Sequence, residues 1–242
     1  MFYVSTRREN RIGALIMVEV ISFDIDGTLI DSYSGIPLFY RELLSRREEI
    51  LGTTSRDDLD LHTICRAEGM ADELGLLRED WWGRILGIQD PIVFTELLLQ
   101  YWNYRIEHSR LLPGATKILS SFRRSGFKVV SISYGDDILG LKRYRISLAG
   151  LEKYFDDVIV VRDDIPSRRD AFEYIMKKYR PERIIVVDDK CRVLRYISRI
   201  YKNVTTVHIV FPYPECLGIK YRECGDIEVY NLYELGKEYG VI

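Results

Sequence analysis

Two carboxylates, Asp24 and Asp26, stand two residues apart where the apolar run Val20-Ile21-Ser22-Phe23 gives out and Gly27-Thr28 begins. An apolar run of this kind reads as a buried parallel strand, and side chains at i and i+2 leave a strand on the same side, so the pair can share one site. Gly27 permits the sharp turn that follows. Two close carboxylates repel each other, and the physical remedies are a divalent cation or a shared proton, so the spacing points to chemistry. Open α/β sheets bind ligands at the carboxyl ends of their strands, where this pair would sit. A second acidic pair, Asp188-Asp189, follows the apolar run Ile184-Ile185-Val186-Val187 and repeats the pattern.

The elements that must position these residues fall into two kinds. After Asp31, which reads as a turn or cap residue, apolar positions such as Ile36, Phe39, Leu43 and Leu44 recur at helical spacing among charged ones. Thr53-Thr54-Ser55 reads as a connector, and Trp81, Trp82, Phe94, Leu97, Leu98, Tyr101 and Trp102 extend the helical character. Residues 32–110 are therefore expected to form an all-helical insertion placed straight after the first strand. From Pro113-Gly114 onward, strands alternate with helices. Strands are expected at Phe127–Ile132, ending in Ser133-Tyr134-Gly135, then at 158–161, 184–187, 205–211 and near 228–230. That alternation predicts an α/β fold, a doubly wound parallel sheet covered on both faces, built from residues 17–31 and 111–242. Residues 1–16 show no clear period and are expected to form a peripheral arm.

The composition narrows the function classes. With 242 residues, 47% of them hydrophobic, the chain can bury a large core. Its 35 basic residues nearly balance 37 acidic ones, for a formal charge of −2, which leaves no broad footprint for nucleic acid or a membrane surface. The apolar stretch 12–23 is interrupted by Glu19, lacks a cleavage site and is too short to span a bilayer, so a cytoplasmic location is expected. Two glutamines beside abundant Arg, Glu, Ile and Tyr lean towards a thermophilic source. Cys65, Cys191, Cys216 and Cys224 lack the paired close spacing of a zinc site and read as reduced, structural thiols; a hyperthermophilic source would open a Cys216 to Cys224 bridge. His62, His108 and His208 form no constellation and read as packing or surface residues.

Asp24-Ile25-Asp26-Gly27-Thr28-Leu29-Ile30-Asp31 resembles the first signature of the haloacid dehalogenase-like (HAD) hydrolase superfamily. The strand ending in Ser133-Tyr134-Gly135 is similar to its second motif and Asp188-Asp189 to its fourth, in the right order, while the helical insertion matches the position of the family's C1 cap. The resemblance implies a Rossmann-like core and a phosphatase acting on a small phosphorylated metabolite. Asp24 would be the nucleophile, forming an aspartyl-phosphate, and Asp26 the general acid and base, which calls for a raised pKa. Mg2+ would be held by the Asp24 carboxylate, the Asp26 backbone carbonyl and Asp189, with Asp188 direct or one shell out. Ser133, with backbone N–H groups at Tyr134 and Gly135, would bind the phosphoryl oxygens.

One motif departs from the family pattern. Its usual Lys is absent, and Ile165-Pro166-Ser167-Arg168-Arg169-Asp170 occupies the region. Arg168 is the chosen phosphate-binding cation, with Arg169 and Lys190 as the other candidates. Two other readings stay open: a phosphomutase of the β-phosphoglucomutase type, and a non-catalytic binding or regulatory module on the same scaffold. The sequence does not single out a substrate or an oligomeric state.

Overall fold

The computed structural model describes residues 18–51 and 59–242, so the N-terminal arm and the 53–55 connector lie outside the described residues. Six parallel strands form one sheet in the order β5-β4-β1-β6-β7-β8. These are β1 (Glu19–Phe23), β4 (Lys128–Tyr134), β5 (Asp157–Val161), β6 (Arg183–Asp188), β7 (Val204–Ile209) and β8 (Ile227–Val229). The chain builds outward from β1 to β4 and β5, then crosses back to build β6, β7 and β8 on the other side. The topological switch therefore falls at β1, whose carboxyl end lies between those of β4 and β6.

Both faces of the sheet are covered, which explains the near-continuous apolar runs of its central strands β1 and β6. One face packs α6 (Ala115–Arg124), α7 (Leu141–Leu148) and α10 (Leu232–Glu238) through Ile118, Leu119, Phe122, Ile146, Leu232 and Leu235. The other packs α8 (Arg168–Tyr179) and α9 (Cys191–Ile200) through Ala171, Phe172, Ile175, Val193, Leu194 and Ile197. The α8 helix starts where the sequence permits it: the Ser167 side chain accepts from the Asp170 N–H, satisfying an orphan amide of the first turn.

Between Asp31 and Arg110 the described residues form five helices: α1 (Gly35–Ser45), α2 (Arg47–Leu51), α3 (Leu61–Leu74), α4 (Arg78–Ile85) and α5 (Pro91–Glu107). They close over their own aromatic core of Phe39, Tyr40, Trp82, Tyr101 and Trp102. A buried polar cluster crosses it: Arg78 pairs with Glu68, the Tyr40 hydroxyl donates to Glu68 at 2.5 Å, and the Tyr101 hydroxyl donates to Glu68 at 2.8 Å. The helical segment leaves and re-enters through a two-residue antiparallel pair, β2 (Ile30–Asp31) with β3 (Arg110–Leu111). Asp31 caps the exit, accepting from the Tyr33 and Ser34 N–H groups at 3.1 Å each.

The cysteines depart from the sequence reading. Cys191 and Cys224 form a disulfide, while Cys65 and Cys216 are free. Cys216 sits in a short turn, Glu215–Leu217, packed on α3, where its thiol neighbours that of Cys65. The correct partner was hidden because parallel pairing of β7 with β8 carries the chain before β8 back to the start of α9.

Candidate active site

Three strand ends build the site. Asp24 follows β1, its N–H donating to the Val187 carbonyl of β6 at 3.0 Å, which fixes the backbone at the strand's end. Asp188 ends β6 and Asp189 follows it. One carboxylate oxygen from each of Asp24, Asp188 and Asp189 lies within 4.8 Å of the other two. Gly27, at φ +77°, makes room: a Cβ there would lie 2.7 Å from Asp189 Cγ and nearer still to its Oδ2.

Burial dominates the electrostatics of these acids. The Asp24 carboxyl is pushed up to about 7, first by burial and then by the Asp188 charge, against the pull of Arg168 and Lys142. Asp189 is raised well above the carboxylate range, again by burial, with Lys190 opposing and Asp188 and Asp24 adding to the rise. Two raised acids beside a third carboxylate, that of Asp188, make the donor set a hard divalent cation relieves. Asp189 Oδ1 is buried and has no protein partner, whereas its Oδ2 accepts from the Tyr213 hydroxyl. The residues present thus fit a Mg2+ ion, with oxygens only and one of them uncommitted.

Asp26 is the exception, and here the sequence reading needs correcting. A raised pKa was expected; burial does push the carboxyl up, but Arg145, Lys142 and Arg105 outweigh it and hold the group well below its ordinary value. Arg145 Nη2 donates to Asp26 Oδ1 at 2.5 Å, and Lys142 pairs with Oδ2. Both cations are shared with Asp136, at 2.9 Å from Arg145 and 2.8 Å from Lys142. The two cations lie at i and i+3 on α7, one face of one helix. That spacing was readable in the sequence. Its acidic partner, more than a hundred positions away, was not.

The other expected residues fall at the same end of the sheet. Ser133, near the end of β4, is buried with its hydroxyl unpartnered, and the exposed Tyr134 leads to Gly135, whose N–H bonds the Val161 carbonyl at 2.8 Å. Arg168, in the first turn of α8, is 6% exposed; its Nη1 donates to Asp188 at 3.2 Å, its guanidinium lies 5.2 Å from the Tyr134 ring, and its Nε is unpartnered. Arg169 instead pairs with Glu173 on the surface. Lys190 reaches across to Asp72 of α3 at 2.9 Å. Asp24, Asp26, Asp72, Arg105, Lys142 and Arg168 are among the residues lining one cavity of about 380 Å3 between sheet and helices. Asp72, Arg105, Asp136 and Tyr213 carried no signal in the sequence, and the helical spacing of Lys142 and Arg145 named no partner, because each joins the site only through tertiary contact.

The haloacid dehalogenase-like hydrolase family model matches residues 18–192, from the start of β1 into the start of α9. The chain belongs to the haloacid dehalogenase-like hydrolases. It is 27% identical over 146 residues to a glyceraldehyde 3-phosphate phosphatase of Methanocaldococcus jannaschii, a match covering 59% of this chain and 62% of that relative's length. Among solved structures, a predicted phosphoglycolate phosphatase of Haemophilus somnus is similar with a TM-score of 0.62 at 15% identity, over 93% of this chain and all of that one. The HAD hydrolase YfnB of Bacillus subtilis, solved bound to magnesium, gives 0.60 at 16% identity, over 93% of this chain and 99% of that one. At these identities the structures speak for the HAD fold alone. No helix among the described residues is long and apolar enough to cross a membrane.

Proposed function

We propose that this HAD hydrolase is a magnesium-dependent phosphatase of small phosphorylated metabolites that works through an aspartyl-phosphate on Asp24. The observation that carries the reading is the convergence, at the ends of β1, β4 and β6, of three carboxylates with a buried arginine and an unpartnered serine hydroxyl. The names of the similar proteins, phosphatases of glyceraldehyde 3-phosphate and phosphoglycolate, support a small phosphorylated substrate. Residues 32–110 serve in this reading as the cap over a core of 17–31 and 111–242.

Asp24 and Asp189, with the Asp26 backbone carbonyl, would hold the ion, Asp188 contributing directly or through water. When bound, magnesium supplies positive charge that offsets repulsion between the carboxylate nucleophile and the phosphate. Asp24 attacks phosphorus, and the bond to the leaving oxygen breaks as the new P–O bond forms. Ser133 and Arg168 hold the transferred phosphoryl oxygens. Asp26 gives a proton to the leaving oxygen, then as carboxylate takes one from the water that cleaves the phosphoenzyme. Lys142 and Arg145 favour its carboxylate form, suited to the second step. An arriving phosphate competes for Lys142, which lines the cavity, and loosens its hold on Asp26 for the first step.

Release of inorganic phosphate from p-nitrophenyl phosphate tests this directly. The native chain is expected to turn over with Mg2+ and stop under chelation, and Asp24→Asn to abolish release. Undiminished release by Asp24→Asn would defeat the proposal, and equal turnover under chelation would defeat its metal.

A further inference from the structure

We propose that Cys191, Cys224 and His208 form a second metal site, for a thiophilic divalent ion such as Zn2+, that opens when the Cys191–Cys224 disulfide is reduced. The site is separate in donor chemistry from the three aspartates. One ligand atom from each of the three residues lies within 4.8 Å of the other two. A tetrahedral ion with Zn–S of about 2.3 Å and Zn–N of about 2.0 Å needs donors roughly 3.5–3.8 Å apart, so opening the sulfurs satisfies it. The cysteine Cα atoms are 5.5 Å apart, which lets side-chain rotation make the change while the backbone stays.

The surroundings already suit an imidazole ligand. His208, on β7, is 4% exposed, with Nδ1 3.4 Å from a Glu228 carboxylate oxygen and Nε2 3.2 Å from the Asp189 carbonyl. Whichever nitrogen turns to the ion, the other keeps an oxygen partner of the kind that orients metal-bound histidine. Cys191 opens α9, whose amide end favours a thiolate. A cavity of about 410 Å3, lined by Cys191, His208, Lys190, Tyr221 and Arg222 among others, gives an ion a way in and leaves space for water as the fourth ligand.

The chemistry balances with a reductant supplied. A dithiol gives two electrons and two protons to the disulfide and is itself oxidised to its own disulfide. The ion then displaces both thiol protons as it binds. Two redox states thus hold the start of α9 and the segment before β8 together by different bonds, one covalent and one coordinate.

Co2+ is the probe, because thiolate ligation produces a sulfur-to-cobalt charge-transfer band that aspartates cannot. The full chain, reduced anaerobically with a phosphine, is expected to bind one such Co2+ per chain, displaced by Zn2+, while the oxidised chain shows no band. Cys224→Ser and His208→Gln should each remove or shift the band, and Cys65→Ser should leave it. Asp24→Asn should also leave it, so failure of the phosphatase reading and failure of this one are distinguishable. Absence of the band in the reduced native chain, or an unchanged band in Cys224→Ser, overturns the proposal.

Discussion

Gly27→Ala is expected to damage the site more than the fold, and the two contributions can be separated. At φ +77° an L side chain costs about 1–2 kcal/mol. The added Cβ would also lie 2.7 Å from Asp189 Cγ. Asp189 is 5% exposed and accepts from Tyr213, so it has little room to retreat; moving it gives up a buried hydrogen bond worth about 0.5–1.5 kcal/mol. Together these come to roughly 2.5 kcal/mol, or about 5–10 °C in Tm for a chain of this size. Gly126→Ala supplies the control, because φ is +91° there and nothing lies within 4 Å of the added Cβ, so it carries the backbone cost alone. Thermal unfolding of both variants without metal, followed by Mg2+ titration calorimetry, is the assay. Gly27→Ala should lose about tenfold or more in Mg2+ affinity, and Gly126→Ala none. If both variants bind Mg2+ like the native chain, the placement of Asp189 does not depend on the space at Gly27, and the assignment of Asp189 to the metal loses its structural basis.

Other expectations follow from individual contacts. Arg168→Met should lower kcat/KM by about 10²-fold while Arg168→Lys retains part of it; Arg169→Met, on a surface pair, should change neither kcat nor KM, and the reverse ranking would reassign the phosphate-binding cation. Glu68→Gln removes one of two buried carboxylates paired with Arg78, the other being Asp137 at 3.2 Å, and should cost about 1–3 kcal/mol in denaturant unfolding, with a near-neutral result refuting a stabilising role for the pair. Reducing the Cys191–Cys224 bridge without added metal should remove up to about 4 kcal/mol, from the entropy of a loop closed across 33 positions, and an unchanged Tm under reductant would contradict it.

What the sequence made legible were features that depend on neighbours along the chain. The apolar run of β1 ends in Asp24 and that of β6 in Asp188, and period and composition alone mark both strands. The alternation of strands and helices was enough for the parallel sheet, because each parallel strand needs a crossover. What stayed hidden depends on neighbours in space. Lys142 and Arg145 sit in α7 as ordinary helix charges, and only the sheet order brings them to Asp26, reversing the pKa expected of it. Asp72 reaches the cavity through its pairing with Lys190, a contact that spans 118 positions. Likewise the cysteine nearest in sequence to Cys224 was the wrong partner, since the sheet sends Cys216 towards α3.

The two-residue pairing of β2 with β3 bears on how such a chain can be rebuilt. Ile30 lies opposite Leu111 and Asp31 opposite Arg110, so everything between them departs and returns at neighbouring points. To the sheet, those helices are topologically one hairpin turn, however long they are, and the entropy of closing that turn grows only with the logarithm of its length. A tight turn grafted between Asp31 and Arg110 therefore leaves the order of all six parallel strands untouched. The helices are in this sense a module whose removal or replacement does not require the sheet to be re-threaded.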